Sequence, residues 1–374
     1  MDTSAVDYQA ACVGFAVAFL AVILLTPAVS LLAWHLGVLD RPDETRHRHP
    51  RATPRLGGLA IVAAVILPSL ALGNDHGFWG IMMGAVLMCL LGAVDDAVGL
   101  HAGVKLTGQV AVAALTVWFG ITIGDITLPF LGNITLGAWT YPLTVLWIVA
   151  IVNIVNFIDG LDGLAAGFCA IAAVSFAILS ASLGRLDAAA ISAVVAGSSA
   201  GFLRYNLPPA RVFMGDSGAL ALGYLLATVA VQGVLKTAAA VSLLFPLVVL
   251  ALPIIDSSFV ILKRLKYGRP IYEADRWHLH HRFGNIGFSE RRTLLYLYGW
   301  CGVLSGFALA IRFVPHRHDW TLLALGVLSA CGAAAVISSL YVIYLLEIIK
   351  LRSLQRLRAI RRNEGGGAQR GRAA

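Results

Sequence analysis

Apolar stretches long enough to cross a bilayer recur from residue 9 to residue 346. Hydrocarbon offers no water to backbone N–H and C=O groups, so stretches of this kind fold as helices. We place spans near 9–33, 56–72, 78–94, 104–124, 141–155, 164–182, 187–203, 217–232, 238–262, 293–313 and 319–346, about eleven in all. Composition agrees: the 374 residues are 59% hydrophobic and 13% charged, with a mean hydropathy of +0.81. That excludes a soluble globular domain of this size. The expected fold is an all-α polytopic membrane protein. Residues 1–350 form one integral domain, and 351–374 form a basic, disordered tail. The first span has no basic flank and no small-residue cleavage site, so we expect a retained helix and not a signal peptide. Segment 125–140 alternates around Gly132-Asn133, which predicts a short β-hairpin on the outer side.

Positive charge sets the expected orientation. With the N-terminus outside and the C-terminus in the cytoplasm, 24 of the 28 Lys and Arg fall inside, leaving Arg185, Lys236, Arg312 and Arg317 outside. The net charge of +8 therefore belongs to the cytoplasmic face, where it serves topology and attracts anionic lipid. No aromatic-basic module accompanies it, so nucleic acid is not an expected partner. The five cysteines lie in apolar spans without paired spacing and read as packing residues.

On this topology every polar cluster reaches the cytoplasmic side. Asn153, Asn156, Asp159 and Asp162 close the fifth span; their spacing of three drifts about 60° per step, so one helical face cannot hold all four. Gly160 and Gly163 are where the helix can break. Asn153 then braces the helix end, and the other three face a ligand. Asp95 and Asp96 end the third span, followed by Lys105. Asp216 stands between Gly215 and Gly218, after Asn206 and Phe213. The longest loop carries His278, His280, His281 and Arg282.

Acids beside bases at one cleft suggest a divalent ion bridging carboxylates to phosphate oxygens, and Mg²⁺ fits best, with Mn²⁺ as a substitute. Asp95 and Asp96 point about 100° apart on a helix, which suits two roles: one holds metal, the other accepts a proton. Asp216 has the backbone freedom to approach an ion. His280, His281 and Arg282 can donate to a diphosphate, and Phe213 can stack on a base. Each feature has a plainer reading. A single Asp at a helix end is commonly a cap, the Asp-Asp pair is a cap as often as not, the histidine run can be a solvated cluster, and Phe213 can be packing. The Arg46-His47-Arg48-His49 run can be a topology flank.

Five motifs in order then identify a resemblance. They are Asp40-Arg41-Pro42 through Pro54-Arg55-Leu56-Gly57-Gly58; Asp95-Asp96 with Gly99-Leu100; Asn153 through Asp159-Gly160 and Asp162-Gly163-Leu164-Ala165; Phe213-Met214-Gly215-Asp216-Ser217-Gly218; and His278-Leu279-His280-His281-Arg282. The chain resembles the polyprenyl-phosphate N-acetylhexosamine-1-phosphate transferases, the superfamily of WecA, TagO and MraY, and its last motif is similar to the WecA/TagO branch. The resemblance implies a multi-pass enzyme of the bacterial cytoplasmic membrane with its active site facing the cytoplasm. It would move HexNAc-1-phosphate, GlcNAc-1-phosphate above all, from a UDP-HexNAc to a polyprenyl phosphate and release UMP, opening a cell-envelope polysaccharide pathway. It implies Mg²⁺, membrane lipids as partners, and allows a homodimer. Residue by residue, it implies that Asp95 deprotonates or orients the lipid phosphate, and that Asp96 and Asp216 are the metal-side acids. Asn156, Asp159, Asp162, Asn206 and Phe213 would line the uridine pocket. Lys105, His278, His280, His281 and Arg282 would serve the phosphates. Arg46-His47 stands where the family usually has Arg-Lys.

Two alternatives stay in view. A phospho-MurNAc-pentapeptide transferase would share the chemistry, but its late motif carries adjacent histidines and a Glu. A transporter would place its ionisable residues at the bilayer midplane on broken helices, whereas these cluster at span ends.

Overall fold

The computed structural model describes residues 3–41, 52–70, 76–124, 126–128, 132–235, 244–268, 278–285 and 287–313, with short pieces at 329–334, 337 and 341. The tail 351–374, most of the span expected at 319–346, the Arg46–His49 run and the 236–243 end of the ninth span lie outside the described residues.

The chain folds as a helical bundle. Its first half runs α1 (Thr3–Leu36), a two-residue ladder of β1 (Leu39–Asp40) with β2 (Thr53–Pro54), then α2 (Gly57–Ser69), α3 (His76–Val98) and α4 (Ala102–Trp118). A small antiparallel hairpin follows, β3 (Ile126–Leu128) with β4 (Gly132–Ile134), where the sequence alternation predicts one. Then come α5 (Thr140–Ile158), α6 (Leu164–Ser182), α7 (Leu186–Asn206), α8 (Gly215–Ala230), α9 (Leu244–Val249), α10 (Ala251–Lys266), α11 (Leu279–Asn285) and α12 (Glu290–Phe313).

Seven helical segments among the described residues are long and apolar enough to cross a membrane: 9–36, 77–98, 137–158, 164–182, 186–206, 215–235 and 290–313. Three expected spans are shorter, among them 104–124, whose helix α4 has 17 residues. The 13 residues of α2 rise only about 20 Å at 1.5 Å each, less than the roughly 30 Å of hydrocarbon. The stretch expected as one span over 238–262 is broken between α9 and α10 at Leu250. Pro253 explains the break: its ring would clash with the carbonyl of residue 249, four positions back.

The core centres on α8. Its residues are buried almost without exception, and α2, α3, α5, α6 and α7 all pack on it. Two large polar side chains in this core find partners, as is favourable where water is excluded: Tyr224 Oη lies 2.8 Å from Thr116 Oγ1, and Trp147 Nε1 donates to the Ala227 carbonyl at 3.1 Å. Outside, α1 packs on α7 and α2 and leaves Leu20, Leu24 and Leu31 exposed, an apolar face suited to lipid. Trp118, Trp139 and Tyr141 are exposed where α4 ends and α5 begins, in keeping with an aromatic belt at a membrane surface. Cys89, Cys169 and Cys301 are buried packing residues, whereas Cys12 is exposed.

The opposite end of the bundle gathers the chain's polar motifs. There α3 ends and α4 begins, α5 ends and α6 begins, and α7 ends and α8 begins.

Candidate active site

Backbone contact between two motifs builds the frame. Gly57 N donates to the Phe213 carbonyl at 3.0 Å, Gly58 N to the Met214 carbonyl at 2.9 Å, and Phe213 N to the Pro54 carbonyl at 2.8 Å. The start of α2 is thereby clipped to the turn that opens α8. Glycine makes the approach possible: a Cβ on Gly58 would lie inside the Ser217-Gly218 backbone, and one on Gly92 inside that of Asp216-Ser217. The first amides of α8 are thus within reach of the end of α3.

Asp96 uses that reach. Its Oδ1 accepts from Asp216 N and its Oδ2 from Ser217 N, both at 3.0 Å, and its side chain is 0% exposed. A carboxylate on orphan amides at a helix N-terminus is stabilised by hydrogen bonds and by the helix dipole. Asp95, one residue earlier, turns elsewhere. Its Oδ1 accepts from Leu100 N at 2.6 Å, closing the turn after α3, and its Oδ2 lies 2.8 Å from Lys105 Nζ. The pair does point two ways, but not into the metal and proton roles expected: here Asp96 caps α8, and Asp95 closes a turn and pairs with Lys105.

Lys105, on the first turns of α4, ties the site together. Its ammonium lies between Asp95 and Asp216 and pairs with both, and Asn156 Oδ1 is 3.5 Å away. Asn156 Nδ2 donates to Asp216 Oδ1 at 2.8 Å. Residues from α3, α4, α5 and α8 therefore meet in one network. Asn153, one turn back on α5, turns from the cleft and donates to Gln109 Oε1 at 2.6 Å.

Beside this network lies a cleft of about 350 Å³ lined by Asp159, Gly160, Asp162, Asn206, Phe213 and Asp216, with Asp40, Arg55 and Glu290 among its other walls. Two of these residues also hold backbone. Asn206 accepts from Gly163 N and donates to the Val212 carbonyl, both at 3.0 Å, and Asp162 accepts from Ala210 N at 2.8 Å. Between α5 and α6 the chain breaks over Asp159–Gly163, with Gly163 at φ 80°, where the glycines predict. Burial, reinforced by the Asp216 and Asp96 carboxylates, pushes Asp159 well above the ordinary carboxylate range.

The histidine motif reaches the cleft indirectly. His280 is buried, with its ring against Gly160: a Cβ there would sit 2.7 Å from His280 Cε1. His278 stacks on His280 at 5.9 Å between ring centroids, and His281 is 4.2 Å from His280. Arg282 lies over the Phe259 ring at 5.0 Å, so its charge faces α10.

Sequence reasoning missed several participants. Arg55, which belongs to the first motif but was given no role, lies 3.7 Å from Asp96 and 3.8 Å from Asp40. Glu290 opens α12 and carries no pattern. Asp256 accepts from His278 at 2.8 Å, and its signal was plain: an acid inside an apolar stretch.

Among the described residues no three His, Cys, Asp or Glu side chains form a ready metal cage. Mg²⁺ does not require one, because it commonly takes one or two carboxylates plus substrate phosphate and water. Asp95 and Asp216 already bracket a cation, the Lys105 ammonium, so this donor set fits a small hard ion.

Comparison with known proteins agrees with the geometry. The family model described as glycosyl transferase family 4 matches residues 78–234, which carry the Asp95-Asp96, Asp159 and Asp216 motifs. A Bacillus subtilis protein named probable undecaprenyl-phosphate N-acetylglucosaminyl 1-phosphate transferase is 38% identical over 319 residues, covering 84% of this chain and 87% of its own length. The decaprenyl-phosphate N-acetylglucosaminephosphotransferase of Mycobacterium tuberculosis is 36% identical, covering 83% and 85%. A phospho-N-acetylmuramoyl-pentapeptide-transferase from Desulforudis audaxviator is 35% identical over 75% and 91%. With identity of this level sustained along both chains, the protein belongs to the polyprenyl-phosphate N-acetylhexosamine-1-phosphate transferase family.

Proposed function

We propose that the protein transfers GlcNAc-1-phosphate from UDP-GlcNAc to a polyprenyl phosphate in the bacterial cytoplasmic membrane, releasing UMP. One observation carries the reading: Asp216, ion-paired with Lys105, lines the same cleft as Phe213, so phosphate-handling charge and a surface for a base meet at one site. The relatives' names supply the substrate class, and the two nearer ones quoted above name N-acetylglucosamine. The cleft faces the cytoplasm on this reading, supported by the arginines and lysines that crowd the same chain segments.

In the reaction an oxygen of the lipid phosphate bonds to the sugar-bearing phosphorus, and the bond from that phosphorus to the UMP oxygen breaks. Asp95 orients the incoming phosphate or takes its proton. Lys105 leaves its carboxylates to meet phosphate oxygens, where a cation stabilises charge moving onto UMP. Phe213 and Asn156 settle the uridine, while Asp159 and Asp162 line the ribose end. Asp216 would hold Mg²⁺ with Asp95 in place of the expected Asp96, whose two oxygens are taken by the Asp216 and Ser217 amides; when bound the ion neutralises the diphosphate. Asp96 serves Asp216 by fixing the turn that carries it.

Purified protein incubated with labelled UDP-GlcNAc, undecaprenyl phosphate and Mg²⁺ should yield a labelled lipid and UMP in equal amounts. Label transfer only from UDP-MurNAc-pentapeptide would move the protein to the peptidoglycan branch.

A further inference from the structure

Asp256 stands in the middle of α10, the sole acid in that helix, and is 3% exposed. A carboxylate in such surroundings persists only with partners. It has two. Oδ2 lies 2.8 Å from His278 Nδ1, and Oδ1 accepts from Leu279 N at 2.8 Å. Leu279 is the first residue of α11, so a side chain from one helix caps another, and the same side chain grips the imidazole just before it.

This grip has a chemical consequence. A carboxylate only accepts, so the nitrogen facing it is Nδ1–H. That places the imidazole in one tautomer, with Nε2 as the nitrogen able to accept a proton or, once protonated, to donate to a phosphate oxygen. The ring's place is fixed as well: it stacks on His280 with 11° between planes, and His280 abuts Gly160 in the cleft wall. A line of contacts runs from the apolar interior of α10 to the site.

We propose that Asp256 is a positioning residue for the transfer reaction, selecting the tautomer and orientation of His278 and through it setting the histidine motif against the cleft. The inference rests on the transferase reading given above. It predicts that orientation, not donor binding, is lost when Asp256 changes.

Asp256→Asn keeps the size and one acceptor for Leu279 N but offers His278 an N–H, so the imidazole must present a bare Nδ1. We expect kcat to fall about 10–100-fold, as when outer partners of functional histidines are removed, with KM for the UDP-sugar within about twofold. In a His278→Gln background, where no imidazole remains to orient, Asp256→Asn should add less than about twofold. A full additional loss there, or a wild-type kcat in the single variant, would overturn the proposal. Nitrogen-15 spectra of histidine-labelled protein give an activity-free readout: the Nδ1–H form at His278 in the wild type, replaced by Nε2–H in Asp256→Asn. An Nε2–H form in the wild type sinks the inference outright. If the wild type makes no lipid product while the spectrum is as expected, the transferase reading fails and the orientation stands. If Asp256→Asn does not accumulate, His278→Gln alone decides, with the same kcat loss at unchanged KM expected and a wild-type kcat refuting it.

Discussion

The acids around Asp216 and the acid at Asp256 both face cationic or protonatable partners at one end of the bundle, yet they are built differently. Asp216 shares Lys105 with Asp95 and takes a hydrogen bond from Asn156, and its side chain is 25% exposed beside the cleft. Asp256 has one imidazole and one backbone amide, and is 3% exposed. The first cluster draws on four helices and two opposing charges, so its pairings can be exchanged when a phosphate arrives. The second is closed, and breaking it would leave a buried carboxylate without compensation. Chemistry is expected where pairing is exchangeable, and orientation where it is not.

The largest test of that contrast removes the exchangeable charge. Asp216→Asn keeps the shape of the α8 turn and the Asp96 cap but removes the carboxylate that Lys105 and Asn156 share. Turnover should drop about 10³-fold, on the scale of losing a main electrostatic group in a site, with unchanged amounts of folded protein in the membrane. Activity within tenfold of wild type would show that Asp216 is structural. Next in size is Lys105→Met. It should cost about 10²-fold in turnover and, because Asp95 and Asp216 then face each other without a cation, should tighten Mn²⁺ binding measured by electron paramagnetic resonance. Weaker Mn²⁺ binding would place the ion elsewhere.

Much of this architecture was legible in the sequence, for reasons that differ by residue. Seven of the eleven expected spans, the break after Ile158 and the small hairpin follow from apolar length, glycine placement and alternation, all of which are local. The acid-rich helix ends were legible because charge beside hydrocarbon is costly and therefore informative. What escaped depends on contacts between distant segments. Nothing near Asp96 says that it will cap α8, because that cap exists only where Gly58 and Gly92 let three backbones meet. Asn206 and Asp162 were expected to face substrate; they line the cleft but also hold the backbone at Gly163, Val212 and Ala210. A side chain's second partner is set by loop packing, which periodicity does not encode. Asp256 is the instructive miss: the signal of an acid in an apolar run was present, and only its partner was hidden.

A third test joins the two clusters. Gly160 belongs to the cleft wall, yet it is the surface on which His280 rests. Gly160→Ala would put a methyl 2.7 Å from His280 Cε1 and 2.8 Å from Nε2, forcing the ring aside. Small misplacements can cost up to about 10²-fold; because the ring can shift, we expect about tenfold in kcat, with Asp216-dependent Mn²⁺ binding unchanged. If Mn²⁺ binding falls too, the clusters are one unit and the contrast between them is lost.

The smallest expected effect concerns Asp159, which stands between them, next to Gly160 in sequence and within the field of Asp216 and Asp96. Its proton is held above the usual carboxylate range by burial first and by those two acids second. Below that raised value Asp159 is neutral and can donate to a phosphate oxygen; as pH rises through it, a negative charge appears on the cleft wall. UMP binding without divalent ions should therefore weaken with rising pH. Repulsion between unit charges about 4 Å apart in water is about 1 kcal/mol, which corresponds to a change of about fivefold. Asp159→Asn cannot ionise, so this component should vanish while the shallower change from the phosphate's own titration remains. Equilibrium binding of labelled UMP at several pH values, in both proteins, measures the difference. Identical profiles would mean that Asp159 answers to the loop that holds it, as Asp256 answers to His278, and not to the ligand.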